Sequence, residues 1–184
     1  MKTDHYPDSP RRMPAAGRCW LALAGLALLL AGCGSERPVV RSKAPPPARV
    51  WSTPVVADPM AVNSVVMRAL GLVGTPYRYG GNTPESGFDC SGLVNYVYRD
   101  MLDLRLPRTS SDLAQVQGPR IDEGRLAPAD LVFFGSRGSV SHVGIYVGEG
   151  RFVHAPSSGG TVRLDSLDGA YWRDHYTGAR RVVN

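Results

Sequence analysis

The chain has 184 residues, 43% of them hydrophobic, with 21 Lys and Arg against 16 Asp and Glu, a formal charge of +5. That length suits one domain with an appendage. The positive excess is mild and scattered with no dense basic run, which excludes the electrostatic footprint of a nucleic-acid binder.

The first element reads as an export signal. Arg11, Arg12 and Arg18 lead into the apolar run CWLALAGLALLLAGC at residues 19–33. A basic stretch followed by a short apolar one has the form of a signal peptide, and it falls short of the ~20 apolar residues that span a bilayer. The run ends Leu30-Ala31-Gly32-Cys33, which resembles the lipobox of bacterial lipoproteins. The resemblance implies cleavage before Cys33, lipid on its thiol, and a membrane partner through that lipid. Gly34 as second residue of the mature chain favours the outer membrane, with the domain on its periplasmic face. Residues 34–59 hold six prolines and read as a semi-rigid spacer. The expected organisation is a signal peptide over 1–32, a lipidated cysteine and tether over 33–58, and one folded domain over 59–184.

Within the domain, Asp58-Pro59 has the form of an N-cap with proline at N1. Val62, Val65, Val66, Ala69, Leu70 and Val73 recur at helical spacing. The segment YRYGGNTPESGFD, rich in Gly, Pro and Ser, reads as a loop. A second helix starts at Cys90, with Leu93, Val94, Val97 and Met101 as its apolar face. A short third helix has Thr109 as N-cap, Asp112 at N3 and Gly118 as its stop. The pattern then changes to DLVFFG, SHVGIYVG, RFVHA, TVRLD and ARRVV, short β-branched and aromatic runs that read as a meandering antiparallel sheet. Helices first and strands second predict an α+β domain.

With Cys33 removed to the lipid anchor, Cys90 is the one thiol of this domain, in an oxidising compartment. It can be a buried structural thiol, a metal ligand or a nucleophile. Its place at a helix start, between Asp89 and Ser91, favours the nucleophile, because the first-turn N–H groups and the helix dipole lower a thiol pKa. A nucleophile needs a base. His142 and His154 fall on adjacent predicted strands joined by Gly148-Glu149-Gly150. A three-residue loop puts both imidazoles on one face, and a two-residue loop puts them on opposite faces. Gly144 leaves room beside His142, where the Cys90 helix is expected to approach. His142 then takes the thiol proton and His154 orients it.

The segments GTPYRYGG, FDCSGLV, LPRTS, DLVFF, HVGIYVGEGRFVHA and YWRDHYTGARRV resemble, in order, the NlpC-type family of bacterial cell-wall cysteine peptidases and its Spr-like lipoprotein members. The resemblance implies a papain-like fold, a helical subdomain packed on a five- to six-stranded antiparallel sheet. It implies Cys90 as nucleophile, His142 as base and His154 as the third polar residue. Tyr77 falls on an active-site tyrosine that serves the oxyanion. Asp89 and Ser91 fall where relatives bind the stem peptide, with helix capping an equal reading for Asp89, and Ser141 is expected in the groove wall, with a loop-edge serine an equal reading. Arg108, Thr109, Trp172 and His175 are read as structural. Ala129 departs from the glycine common at that place. The implied activity is hydrolysis of amide bonds to diaminopimelate in peptidoglycan peptides by a monomer without metal or cofactor. The D-alanyl–diaminopimelate cross-link is preferred over the γ-D-glutamyl–diaminopimelate stem bond. Two other classes compete: a zinc site built from Cys90, His142, His154 and Asp89, and a non-catalytic wall-binding lipoprotein.

Overall fold

The computed structural model describes residues 58–116 and 118–183. The expected signal peptide, Cys33 and the tether up to residue 57 lie outside them. Helix α1 spans Pro59–Gly71, and Asp58 caps it: Oδ1 accepts the N–H groups of Met60 and Ala61 at 3.0 Å. Val62, Val65 and Ala69 are buried along its inner face, and Leu72 joins them. Leu70 and Val73, expected on that face, are exposed.

The glycine-rich segment, expected as a loop, contains a small hairpin of β1, Asn82–Thr83, and β2, Gly87–Phe88. Helix α2, Cys90–Leu102, starts one residue after it. The helix buries Leu93, Val94, Val97 and Tyr98, while Met101 in its last turn is exposed. Helix α3 is a single turn, Ser110–Leu113, capped by Thr109, whose Oγ1 accepts the Asp112 N–H at 3.2 Å. It stops before Gly118 for a tertiary reason. The Arg180 guanidinium donates to the Ala114 and Gly118 carbonyls at 3.1 and 2.9 Å.

Six strands form the main sheet: β3 (Arg120–Ile121), β4 (Leu131–Ser136), β5 (Ser139–Gly148), β6 (Arg151–His154), β7 (Arg163–Ser166) and β8 (Tyr176–Arg180). Their order is β3-β8-β4-β5-β6-β7, all antiparallel. The meander holds for β4 to β7. The chain then runs through α4, Ala170–His175, and returns as β8 on the far side of β4. β8 begins three residues ahead of the apolar run that announced it: Tyr176 and Gly178 pair with Phe134 and Phe133 of β4, and Gly178 interrupts the apolar pattern there. The domain is α+β, as expected.

Alternation along the strands divides the buried residues between two faces. Leu131, Phe133, Val143, Ile145 and Val153 pack against α1 and α2. Val132, Phe134, Tyr146 and Phe152 pack with Leu126, Leu167 and Trp172 on the other face. Ala129, just before β4, holds φ 68°. This left-handed conformation is the physical reason glycine is favoured at that place.

The β5–β6 connection differs from the three-residue loop expected. Gly148 pairs with Arg151, so the turn is Glu149-Gly150 alone, both at positive φ (52° and 71°), the signature of a two-residue type I′ hairpin. Taken alone, that turn would separate the two histidines. A bulge at Val147 adds one residue to β5, so that Tyr146 opposes Phe152 and Ile145 opposes Val153. The bulge restores the parity, and both imidazoles stay on one face.

Candidate active site

Cys90 opens α2, and its thiol is free and partly buried. The backbone N–H groups of Cys90, Ser91 and Val143 point at Sγ. Val143 is available because the β6 ladder begins only at Ile145, leaving this edge of β5 without a strand partner. The nucleophile candidate therefore meets the sheet at the residue next to His142. The approach is not by way of Gly144, as the sequence suggested. A Cβ on Gly144 would lie 2.6 Å from the Phe152 ring and 3.1 Å from the Val153 carbonyl, so β6 fills that space. α2 packs on the opposite face, and its first residue reaches this edge.

The expected lowering of the thiol pKa is not met. The three N–H groups do pull it down, but burial, then the Asp89 charge, push it up further. His142 is displaced the other way: burial, then the His154 charge, hold it well below the ordinary imidazole value. Both displacements favour the uncharged forms, thiol for Cys90 and neutral imidazole for His142.

His142 Nε2 stands 2.8 Å from His154 Nδ1. One nitrogen must donate and the other accept. The rings meet edge to face, 5.1 Å apart at 84°. His154 is fully buried, and burial holds its pKa low against the opposing pull of Asp165. Asp165 Oδ2 lies 3.1 Å from His154 Nε2. The oxygen sits off the N–H direction, so the contact is an electrostatic approach rather than a linear hydrogen bond. The same oxygen accepts from Arg163 Nε and Nη2 at 3.1 and 2.9 Å and from Trp172 Nε1 at 2.8 Å.

Asp165 and Trp172 are the residues that sequence reading missed. Trp172 stacks on His142 (centroids 5.4 Å, 27°) and turns its edge to His154 (4.7 Å, 83°). The β6–β7 register, His154 opposite Arg163 and Phe152 opposite Asp165, puts Asp165 on the histidine face. A correct register for that hairpin would have revealed Asp165. Nothing local announces Trp172, which arrives on a six-residue helix.

Other candidates fall into two groups. Tyr77 sits near the thiol. Burial, then the charges of Cys90 and Asp89, raise its pKa, so its hydroxyl keeps its proton and can donate. Ser141 is the extra residue where β4 and β5 slip register, and it lines a cleft of about 510 Å³ with His142, Arg163, Trp172 and His175. Asp89, by contrast, is occupied internally. Its Oδ1 accepts the Gly92 N–H at 2.6 Å and its Oδ2 the Gly80 N–H at 2.9 Å. Arg108 binds both oxygens, at 3.1 and 2.6 Å, and Ser91 Oγ at 2.8 Å. Ser91 is itself buried. Asp89 caps α2, and its carboxylate and the Ser91 hydroxyl are both engaged by Arg108. Arg108, read as structural, keeps 46% of its side chain exposed beside the thiol.

The zinc reading gains no support from this geometry. The two histidines use Nε2 and Nδ1 on each other, and among the described residues no group of three His, Cys, Asp or Glu could hold a metal ion.

The model of the NlpC/P60 family matches residues 74–181. The chain is 42% identical over 130 residues to murein DD-endopeptidase MepH of Escherichia coli (strain K12), an alignment that covers 69% of this chain and 46% of MepH. It is 42% identical over 158 residues to probable endopeptidase NlpC of the same strain, covering 85% of this chain and 94% of that protein. It is 40% identical over 133 residues to gamma-DL-glutamyl hydrolase of Bacillus subtilis (strain 168), covering 71% and 32%. The chain thus spans under half of two of these relatives and nearly all of the third. Among solved structures, an NlpC/P60 family protein from Bacillus cereus superposes with a TM-score of 0.63 at 29% identity, covering 72% of this chain and 42% of that one. The fold is the papain-like fold of these domains.

Proposed function

Because the chain belongs to the NlpC/P60 family, we propose that it is a cysteine peptidase that hydrolyses peptide bonds of peptidoglycan. The observation that carries this reading is the placement of the His142–His154 pair beside Val143, whose N–H points at the Cys90 sulfur. His142 Nε2 is engaged by His154, so Nδ1 is the nitrogen left to act as base. Nδ1 takes the thiol proton as Sγ attacks the amide carbonyl, in keeping with displacements that favour the uncharged form of each group. The helix-start N–H groups and the Tyr77 hydroxyl receive the oxyanion. The imidazolium returns the proton to the leaving amine, and the C–N bond breaks to leave a thioester. Water, deprotonated by His142, attacks the thioester and releases the acid and the thiol.

The bond proposed is D-alanyl–diaminopimelate in a cross-link, the reading in keeping with the DD-endopeptidase name of MepH. A second reading, the γ-D-glutamyl–diaminopimelate stem bond, is favoured by similarity to the gamma-DL-glutamyl hydrolase. Both bonds end at the same diaminopimelate amine. Mass analysis of muropeptides after digestion with the chain, unmutated against Cys90→Ser, separates them. Loss of cross-linked dimers names the first bond, and truncated stems name the second. His142→Ala is expected to abolish turnover and His154→Ala to leave a remnant. Unchanged muropeptides with sacculus binding kept in Cys90→Ala would favour the wall-binding alternative.

Lipid anchoring through Cys33 is part of the same proposal. The NlpC alignment is longer than the family match and extends into the N-terminal segment. The test is membrane fractionation: Cys33→Ser should leave the membrane fraction, and its retention there would sink the anchor.

A further inference from the structure

We propose that Asp165 is a positioning residue that selects the tautomer of both histidines and so frees the base nitrogen of His142. The inference rests on the reading of Cys90 and His142 given above.

His154 is fully buried and has two ring nitrogens, one facing His142 and one facing Asp165. A neutral imidazole carries one proton. Were that proton on Nδ1, the Nε2 lone pair would face a carboxylate oxygen at 3.1 Å with no donor between them. Like-signed charge density at that distance is repulsive, and in a buried site the repulsion is poorly screened. The proton is therefore held on Nε2. The off-axis approach weakens any hydrogen bond but does not change the sign of this preference. With Nε2 protonated, His154 Nδ1 can only accept. His142 Nε2 must then donate across the 2.8 Å contact, and the His142 proton is fixed there. Nδ1 of His142 keeps its lone pair. A group two residues removed from the sulfur thus determines which nitrogen can take the thiol proton.

Asp165 is itself built in. Arg163 and Trp172 each donate to its Oδ2. These donors hold its carboxyl below the ordinary carboxylate range against burial, which is the largest influence and acts in the opposite direction. It stays charged at working pH. Its charge also favours the imidazolium that His142 becomes when it takes the proton, while the Arg163 charge opposes it. Asp165, His154 and Arg163 are the charged and titratable groups that bear on His142 from β6 and β7.

The test uses Asp165→Asn and Asp165→Ala, with Asp165→Glu as the rescue. Long-range ¹H–¹⁵N spectra of ring nitrogens, recorded on the inactive Cys90→Ser background, report tautomers without needing turnover. Protonated Nε2 on both histidines is expected with Asp165 present, and a mixture in Asp165→Ala. On the active chain, kcat of Asp165→Ala should fall by roughly tenfold to a hundredfold with KM little changed. That is less than the ~10⁴ seen when the group directly behind a catalytic imidazole is altered, because Asp165 acts one ring further away. The acid limb of the pH–rate profile should move to lower pH, since a negative charge that favoured imidazolium is gone. The Asp165→Glu variant should recover part of kcat and of the limb. Asp165→Asn keeps the size of the side chain and guards against mere misfolding, which a melting curve detects. Unchanged tautomers in Asp165→Ala overturn the proposal, and so does an unmoved acid limb. An inactive parent chain with the predicted tautomers would instead overturn the peptidase reading and leave the Asp165 assignment standing.

Discussion

The Trp172 indole lies nearly parallel to the His142 imidazole, with centroids 5.4 Å apart, and its Nε1 donates to Asp165 at 2.8 Å. One side chain thus walls the base candidate and secures the carboxylate behind the second histidine. Trp172→Phe keeps a ring and removes the donor, while Trp172→Ala removes both. Steady-state kinetics should rank them wild type, Phe, then Ala in kcat. The Ala variant should also lose roughly 2 kcal/mol of stability, below the roughly 3–5 typical of a fully buried tryptophan because Trp172 is only half-buried. Equal kcat in the two variants would show that the hydrogen bond to Asp165 carries the whole effect.

Arg108 offsets the Asp89 charge beside Cys90. Asp89 is the second influence raising the thiol pKa, after burial. Arg108→Ala leaves that carboxylate unpaired, so the thiol pKa should rise further. Iodoacetamide alkylation of Cys90 followed against pH should shift to more alkaline values, with Arg108→Lys in between. A shift in the acid direction would refute this account of the pair.

Gly92 lies in the first turn of α2, where a Cβ would stand 2.0 Å from the Gly81 carbonyl oxygen. That oxygen also receives the Asp89 N–H. Gly92→Ala must push the start of α2 off the β1 segment and carry Cys90 with it. Overpacking of this kind costs about 1–3 kcal/mol, and denaturant unfolding should report a loss in that range. Turnover should fall more steeply than stability alone explains, because the displaced group is the sulfur.

Acid should destabilise this domain earlier than carboxylates alone would cause. His142 and His154 are both held below their ordinary pKa by burial. The unfolded chain therefore binds more protons once the pH falls below about 6.5, and folding stability drops with it. Each histidine contributes up to roughly 1.4 kcal/mol per pH unit in that window. Asp89 and Asp165, held below the ordinary carboxylate range, add to the loss at still lower pH. Urea midpoints measured between pH 7 and pH 5 should fall. His154→Phe should flatten that slope, and a slope unaffected by the substitution would rule out this source.

Local signals determined much of this protein. Asp58-Pro59 and Thr109 announced their helices because caps are satisfied by neighbouring backbone. Strands β4 to β7 were readable because short β-branched and aromatic runs between glycines suit a sheet with a packed face on either side. Cys90 at the head of α2 and the shared face of His142 and His154 were readable for the same reasons, although the turn that joins the histidine strands was misread. The bulge at Val147 corrects the parity, and nothing in GEG specifies a bulge. Long-range contact decided the rest. The return of β8 beside β4, the arrival of Trp172 on a six-residue helix and the opposition of Asp165 to Phe152 all depend on register between distant segments. Burial reversed the expected direction for the thiol, because desolvation depends on what covers a group, and neighbours along the chain do not reveal that.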